Sequence, residues 1–170
     1  ESPARSLDLG AGGGLPGLVL AAQFWPTTMW TFLDAQLRRT EFLAYAIEEL
    51  GLDDRVEVVM ERAEVVGRDP AHRAGYDLVV SRSFGAPAVT AECAAPLLRP
   101  GGVLVVSEPP ATALETRWPP SEVAKLGLSP GVAVAVPGDV EAHLVRFVLD
   151  GAVADRYPRR TGIPSKRPLF

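Results

Sequence analysis

The stretch Leu7-Asp8-Leu9-Gly10-Ala11-Gly12-Gly13-Gly14-Leu15-Pro16-Gly17 constrains this chain more than any other. It reads as the end of a buried strand, a glycine turn and the start of a helix. Glycines at 10, 12 and 14 remove the side chains that would hold a ligand away from the backbone. Pro16 suits an early helical position, and the free N–H groups of that first turn point at whatever binds there. A nucleotide-like cofactor is the natural occupant. A dinucleotide fingerprint would need its third glycine at position 15, where Leu15 stands. What is present is G-x-G-x-G preceded by the acid Asp8, the pattern expected of an S-adenosylmethionine (SAM) loop, whose ligand carries no pyrophosphate. Asp34 lies 24 residues beyond Gly10, near the spacing of about 20 at which a ribose-binding carboxylate is expected. The alternative is a tight strand-to-helix turn that happens to be rich in glycine.

The elements that follow repeat one alternation. Arg5 to Leu9 is the first strand and Leu15 to Gln23 the first helix, ended by Pro26. Met29 to Leu33 is a second strand closing on Asp34. Leu37 to Leu50 carries Leu43, Ile47 and Leu50 at helical spacing, with Gly51 as its stop. Val56 to Met60 and Tyr76 to Val80 are further strands, Ala88 to Leu98 a helix halted by Pro100-Gly101-Gly102, and Val103 to Ser107 a fifth strand. Strands and helices in this order imply an α/β fold with a mostly parallel, doubly wound, Rossmann-like sheet. Ligands of such sheets lie outside the carboxyl ends of the strands. That rim carries the glycine loop, Asp34, Glu61 to Glu64, Arg82, Phe84 and Ser107 to Pro110, so every candidate converges on one edge. After a proline-broken segment, Val132 to Val136 and His143 to Leu149 read as an antiparallel C-terminal hairpin turning at Pro137-Gly138-Asp139. A parallel sheet finished in this way is the layout of SAM-dependent methyltransferases.

Composition sets the remaining bounds. The 170 residues suffice for one domain with a real core. No apolar run reaches the roughly 18 residues of a membrane span, and no basic-then-apolar leader opens the chain. Cys93 is the single cysteine, which excludes an intramolecular disulfide and makes a reducing cytoplasm the expected compartment. His72 and His143 lack metal-site spacing, so no metal is expected. The net charge of −4 conceals an asymmetry, because the last 15 residues hold five basic side chains and no acid. The expected division is therefore a SAM-binding domain over 1–150 and a basic tail over 151–170. Arg159, Arg160 and Lys166 in that tail are candidates for RNA phosphate contacts, the bland alternative being a solvated C-terminus. The acidic body argues against a general nucleic-acid binder.

Taken together, the glycine loop with Leu15-Pro16-Gly17, Leu33-Asp34, Arg39, Phe42-Leu43, Arg62-Ala63-Glu64, Tyr76-Asp77, Ser81-Arg82-Ser83-Phe84 and the ending Tyr157-Pro158-Arg159-Arg160-Thr161-Gly162-Ile163-Pro164-Ser165-Lys166-Arg167-Pro168-Leu169 resemble the glucose-inhibited division protein B family. Its members are bacterial methyltransferases acting on guanine N7 of small-subunit ribosomal RNA. The resemblance implies that Gly10, Gly12 and Gly14 cradle the methionine part of SAM, and that Asp34 takes the ribose hydroxyls. It implies that Ala63 and Glu64 sit by the adenine, and that Arg82 and Phe84 face the reactive methyl and the substrate base. Arg82 would thus serve both cofactor and catalysis; its structural alternative is a pairing with an acid such as Glu92. Asp8 is expected to orient the loop.

The chain departs from the family pattern in three ways. A Lys-Gly pair that the family carries after its fifth strand is replaced by Glu108-Pro109, and a negative charge there disfavours RNA by Coulomb repulsion. A helical region that family members carry ahead of the first strand is not in this sequence, and the body is acidic. Two alternatives to rRNA methylation follow from the first departure: a diverged enzyme with another substrate, or a SAM-binding module that works by interaction.

Overall fold

The computed structural model describes residues 2–110, 113–135 and 142–170. Its frame is one seven-stranded sheet in the order β3-β2-β1-β4-β5-β7-β6. Strands β1 (Arg5–Leu9), β2 (Met29–Asp34), β3 (Val56–Met60), β4 (Tyr76–Ser81) and β5 (Leu98–Glu108) run parallel, as the alternation requires. β6 (Val132–Val134) and β7 (His143–Val148) pair antiparallel with each other, and β7 pairs antiparallel with β5. The expected turn at Pro137-Gly138-Asp139 lies outside the described residues. Helices α1 (Gly17–Val19), α2 (Leu37–Glu49), α3 (Ala63–Val66) and α4 (Pro87–Ala94) connect the parallel strands. Three short helices follow: α5 (Leu114–Arg117), α6 (Pro120–Val123) and α7 (Ile163–Lys166).

Side chains that alternate along each strand feed two cores, one on each face of the sheet. Leu7, Leu9, Leu33, Val79, Leu104 and Val106 enter one, under α4 and the buried Trp118. Trp30, Phe32, Leu78 and Val80 enter the other, under Leu43 and Ile47 of α2. Both faces being covered explains why β2 and β4 are largely apolar.

Two boundaries differ from expectation for local reasons. The first helix begins at Gly17 and continues as a π-helical turn over Leu20–Phe24. α4 stops at Ala94 and tightens into a 3-10 turn over Ala95–Leu97, because Pro96 has no N–H to extend the helix. Leu98 therefore already belongs to β5, whose pairing with β4 is irregular between Tyr76 and Leu78. The Pro100-Gly101-Gly102 segment is an irregularity within β5. Gly101 sits at φ +79°, and a Cβ on Gly102 would stand 2.8 Å from the Arg99 carbonyl oxygen.

Candidate active site

β1 leads into the glycine turn at the point where the chain order of the sheet reverses, between β1 and β4, which is where ligands of doubly wound sheets bind. Gly10, Gly12 and Gly14 have φ of +74°, +53° and +84°, a region that disfavours any residue with a Cβ. At Gly10 the need is doubled, since a Cβ would stand 2.6 Å from Cδ2 of Phe84. Gly14 serves packing, its missing Cβ leaving room for Leu18. Behind the turn, fully buried Asp8 accepts the Gly17 N–H at 2.9 Å and so ties the loop to the helix. Burial pushes the Asp8 carboxyl up to about 7; the Gly17 N–H opposes that rise and the nearby Asp34 adds to it.

Asp34, at the end of β2, is 5% exposed. Its Oδ2 accepts the Gly12 N–H at 3.0 Å and its Oδ1 accepts the Gln36 N–H at 2.9 Å. Arg39 approaches Oδ2 at 3.4 Å from a half-exposed position. A carboxylate offers about four lone-pair sites, so capacity for a further donor remains. Asp34, Gln36, Ala63, Phe84 and Gly10 line one cleft of about 440 Å³, within the range of small-ligand sites. Cys93 also lines it, with its thiol pushed up by burial and so held protonated. A shallower recess of about 300 Å³ adjoins, lined by Gly10 to Gly13 and by the exposed Arg82. Beyond Phe84 opens a further cavity of about 340 Å³, bounded by Thr90, Ser107, Glu108 and Arg117. Ser83, Phe84 and Gly85 are common to this cavity and the cleft.

Ser83 stands in all three recesses and adopts φ +56°, left-handed backbone that a non-glycine residue adopts at a cost. That kink turns the chain after β4, sets Arg82 at the rim and lays Phe84 against Gly10. Sequence reasoning missed Ser83, Gln36 and the wall residue Ser165. A serine before an aromatic gives no local sign of positive φ, and Ser165 reaches the cleft only through the docking of the C-terminal segment.

That docking changes the role of Arg159. Instead of an open phosphate contact, its Nε and Nη2 donate to the two oxygens of Glu92 at 2.8 and 2.6 Å. Its backbone N–H adds a bond at 2.8 Å, and Glu92 is fully buried. The same pair corrects the alternative for Arg82, because Glu92 is already held by Arg159. Glu64 lines the cleft, yet its Oε1 accepts the Gly162 N–H at 2.8 Å and Arg62 Nη2 at 3.1 Å. Burial alone would raise the Glu64 carboxyl; those two donors outweigh it and hold it below the ordinary value. Arg68 and Arg73 donate to the carbonyls of Pro158 and Tyr157, both at 2.7 Å. Arg160 and Lys166 remain exposed. Glu108 is also altered by its surroundings, since Arg117 forms an ion pair with it and its side chain is only 7% exposed. The unpaired negative charge expected there is neutralised. Among the described residues no group of three or more His, Cys, Asp or Glu side chains could hold a metal, and no helix is long and apolar enough to cross a membrane.

A family model described as GidB, rRNA small subunit methyltransferase G, matches residues 1–128. The ribosomal RNA small subunit methyltransferase G of Rubrobacter xylanophilus is 37% identical over 171 residues, covering 97% of this chain and 65% of that protein. The protein of the same name from Deinococcus deserti is 39% identical over 168 residues, covering 96% and 68%. The chain thus spans about two thirds of the length of these curated relatives. Among solved structures, the O-methyltransferase TomG from Streptomyces achromogenes in complex with SAM has a TM-score of 0.63 at 20% identity, covering 89% of this chain and 74% of that one. The cofactor-bound Rv0187 from MTB has a TM-score of 0.65 at 22% identity, with coverage of 88% and 74%. These last two similarities establish the fold.

Proposed function

Because the chain belongs to the rRNA small subunit methyltransferase G family, we propose that it uses SAM to methylate guanine N7 in small-subunit ribosomal RNA. The observation that carries this reading is the convergence of Gly10, Asp34, Ala63 and Phe84 on one cleft that shares a wall with a second cavity. The donor set suits SAM. Asp34 retains acceptor capacity for ribose hydroxyls, and the side-chain-free turn at Gly12 and Gly13 admits close approach of a methionine. Ala63 is the candidate for contact with adenine, while the Glu64 carboxylate supports it by fixing the wall through Gly162.

When bound, SAM supplies an electrophilic methyl group on a sulfonium. Guanine N7 carries a free lone pair and no proton, so the residues have no proton to remove and need only position the base and exclude water. Phe84 offers a stacking surface between cleft and cavity, and Arg82 at the rim offers donors for guanine O6. Arg160 and Lys166 remain candidates for phosphate contacts. The Glu108–Arg117 pairing weakens the alternatives of another substrate or a non-catalytic role, because both took Glu108 as an unpaired repulsive charge. The ribose assignment is tested by calorimetric titration with SAM. Asp34→Ala is expected to lower affinity at least about tenfold. Equal affinity of Asp34→Ala and the parent protein would overturn the assignment.

A further inference from the structure

The cavity beyond Phe84 is separated from the cofactor cleft by Ser83, Phe84 and Gly85, and its far side holds Glu108 and Arg117. Neither of these two residues lines the cofactor cleft or the recess over the glycine turn. The ion pair uses one edge of each group: Arg117 Nε donates to Glu108 Oε2. The pairing engages Oε2 and leaves Oε1 outside it. A carboxylate with a side chain only 7% exposed, paired through one oxygen to a guanidinium at the wall of a cavity of about 340 Å³, is a recognition element rather than a surface charge.

The chemistry of the bases selects what it recognises. On the Watson–Crick edge, guanine alone presents two adjacent donors, N1–H and N2–H. Adenine and cytosine each set one donor beside an acceptor, and uracil has one donor flanked by two acceptors. A carboxylate accepts two parallel N–H bonds and offers no donor, so it matches guanine and leaves the other bases with an acceptor facing an acceptor. The relative placement also agrees. Guanine N7 lies on the opposite edge of the purine from N1 and N2, so a base stacked on Phe84 with N7 toward the cleft presents its N1 and N2 away from it, toward Glu108.

We propose that Glu108, oriented by Arg117, is the guanine-specificity residue of this enzyme, reading N1–H and N2–H of the target base in the cavity behind Phe84. This rests on the reading of the protein as a guanine methyltransferase. The test uses small-subunit RNA in which the methylated guanosine, once mapped, is replaced by inosine, which lacks only the N2 amino group. The parent protein is expected to lose roughly tenfold or more in kcat/KM on inosine, the discrimination of a good bidentate contact. Glu108→Gln is expected to be impaired on guanosine and to distinguish the two bases less than about threefold, with SAM affinity and thermal unfolding confirming that it is folded. Equal kcat/KM of the parent on guanosine and inosine overturns the inference without any variant and leaves guanine methylation standing. Absence of methyl transfer to any guanine overturns the underlying reading and this inference with it.

Discussion

Replacing Arg159 with Met tests the role of the C-terminal segment most sharply. Glu92 is fully buried in α4, and Arg159 supplies the three hydrogen bonds that its carboxylate accepts. The backbone bond survives the substitution, but the charge loses its counterion. Breaking a buried pair from one side costs about 3–5 kcal/mol, because the remaining charge is uncompensated. At about 2–4 °C per kcal/mol for a chain of this size, the melting temperature falls by roughly 6–20 °C. The double substitution Glu92→Met with Arg159→Met removes the orphaned charge and is expected to recover most of that loss. Because Ser165 lines the cleft proposed to hold SAM and Gly162 bonds Glu64, SAM affinity of the single variant should fall as well. Thermal unfolding followed by circular dichroism reads the first effect and calorimetric titration the second. A melting temperature within about 2 °C of the parent protein would refute the structural role and return Arg159 to the set of open RNA contacts.

Two further outcomes follow from the glycine turn. Gly10→Ala places a methyl group 2.6 Å from Phe84 on left-handed backbone, so it should displace Phe84 and sharply reduce methyl transfer, which single-turnover kinetics would measure; wild-type rates would refute the contact. Asp8 has a folded-state pKa of about 7 against an ordinary value of 3.8, so its contribution to stability is full below pH 4 and is lost as pH rises through 7. Asp8→Asn, which keeps an acceptor for the Gly17 N–H, should remove that loss; parallel melting curves against pH for the two proteins would refute it.

Much of the architecture is legible locally. Strands buried on both faces announce themselves as short apolar runs, and β1 and β3 keep the expected boundaries because a glycine turn or a charged pair follows each. The rim of the sheet is legible for the same reason, since strand order and direction alone bring Gly10, Asp34, Ala63 and Phe84 to one end. What escaped depends on contacts distant in sequence. Glu92 and Arg159 are 67 residues apart and Glu64 and Gly162 are 98 apart, so a run of basic residues could not announce that it is docked. Glu108 misleads in isolation because Arg117, on a separate short helix, supplies the charge that the chain lacks at that strand end.

The central claim is methyl transfer to guanine N7, and the most direct measurement is incorporation of tritiated methyl from SAM into unmodified small-subunit ribosomal RNA, free and in assembled subunits, followed by nucleoside analysis. Label recovered as 7-methylguanosine is the expected result. Label on another base or at another position of guanine, or no label on either substrate, would contradict it.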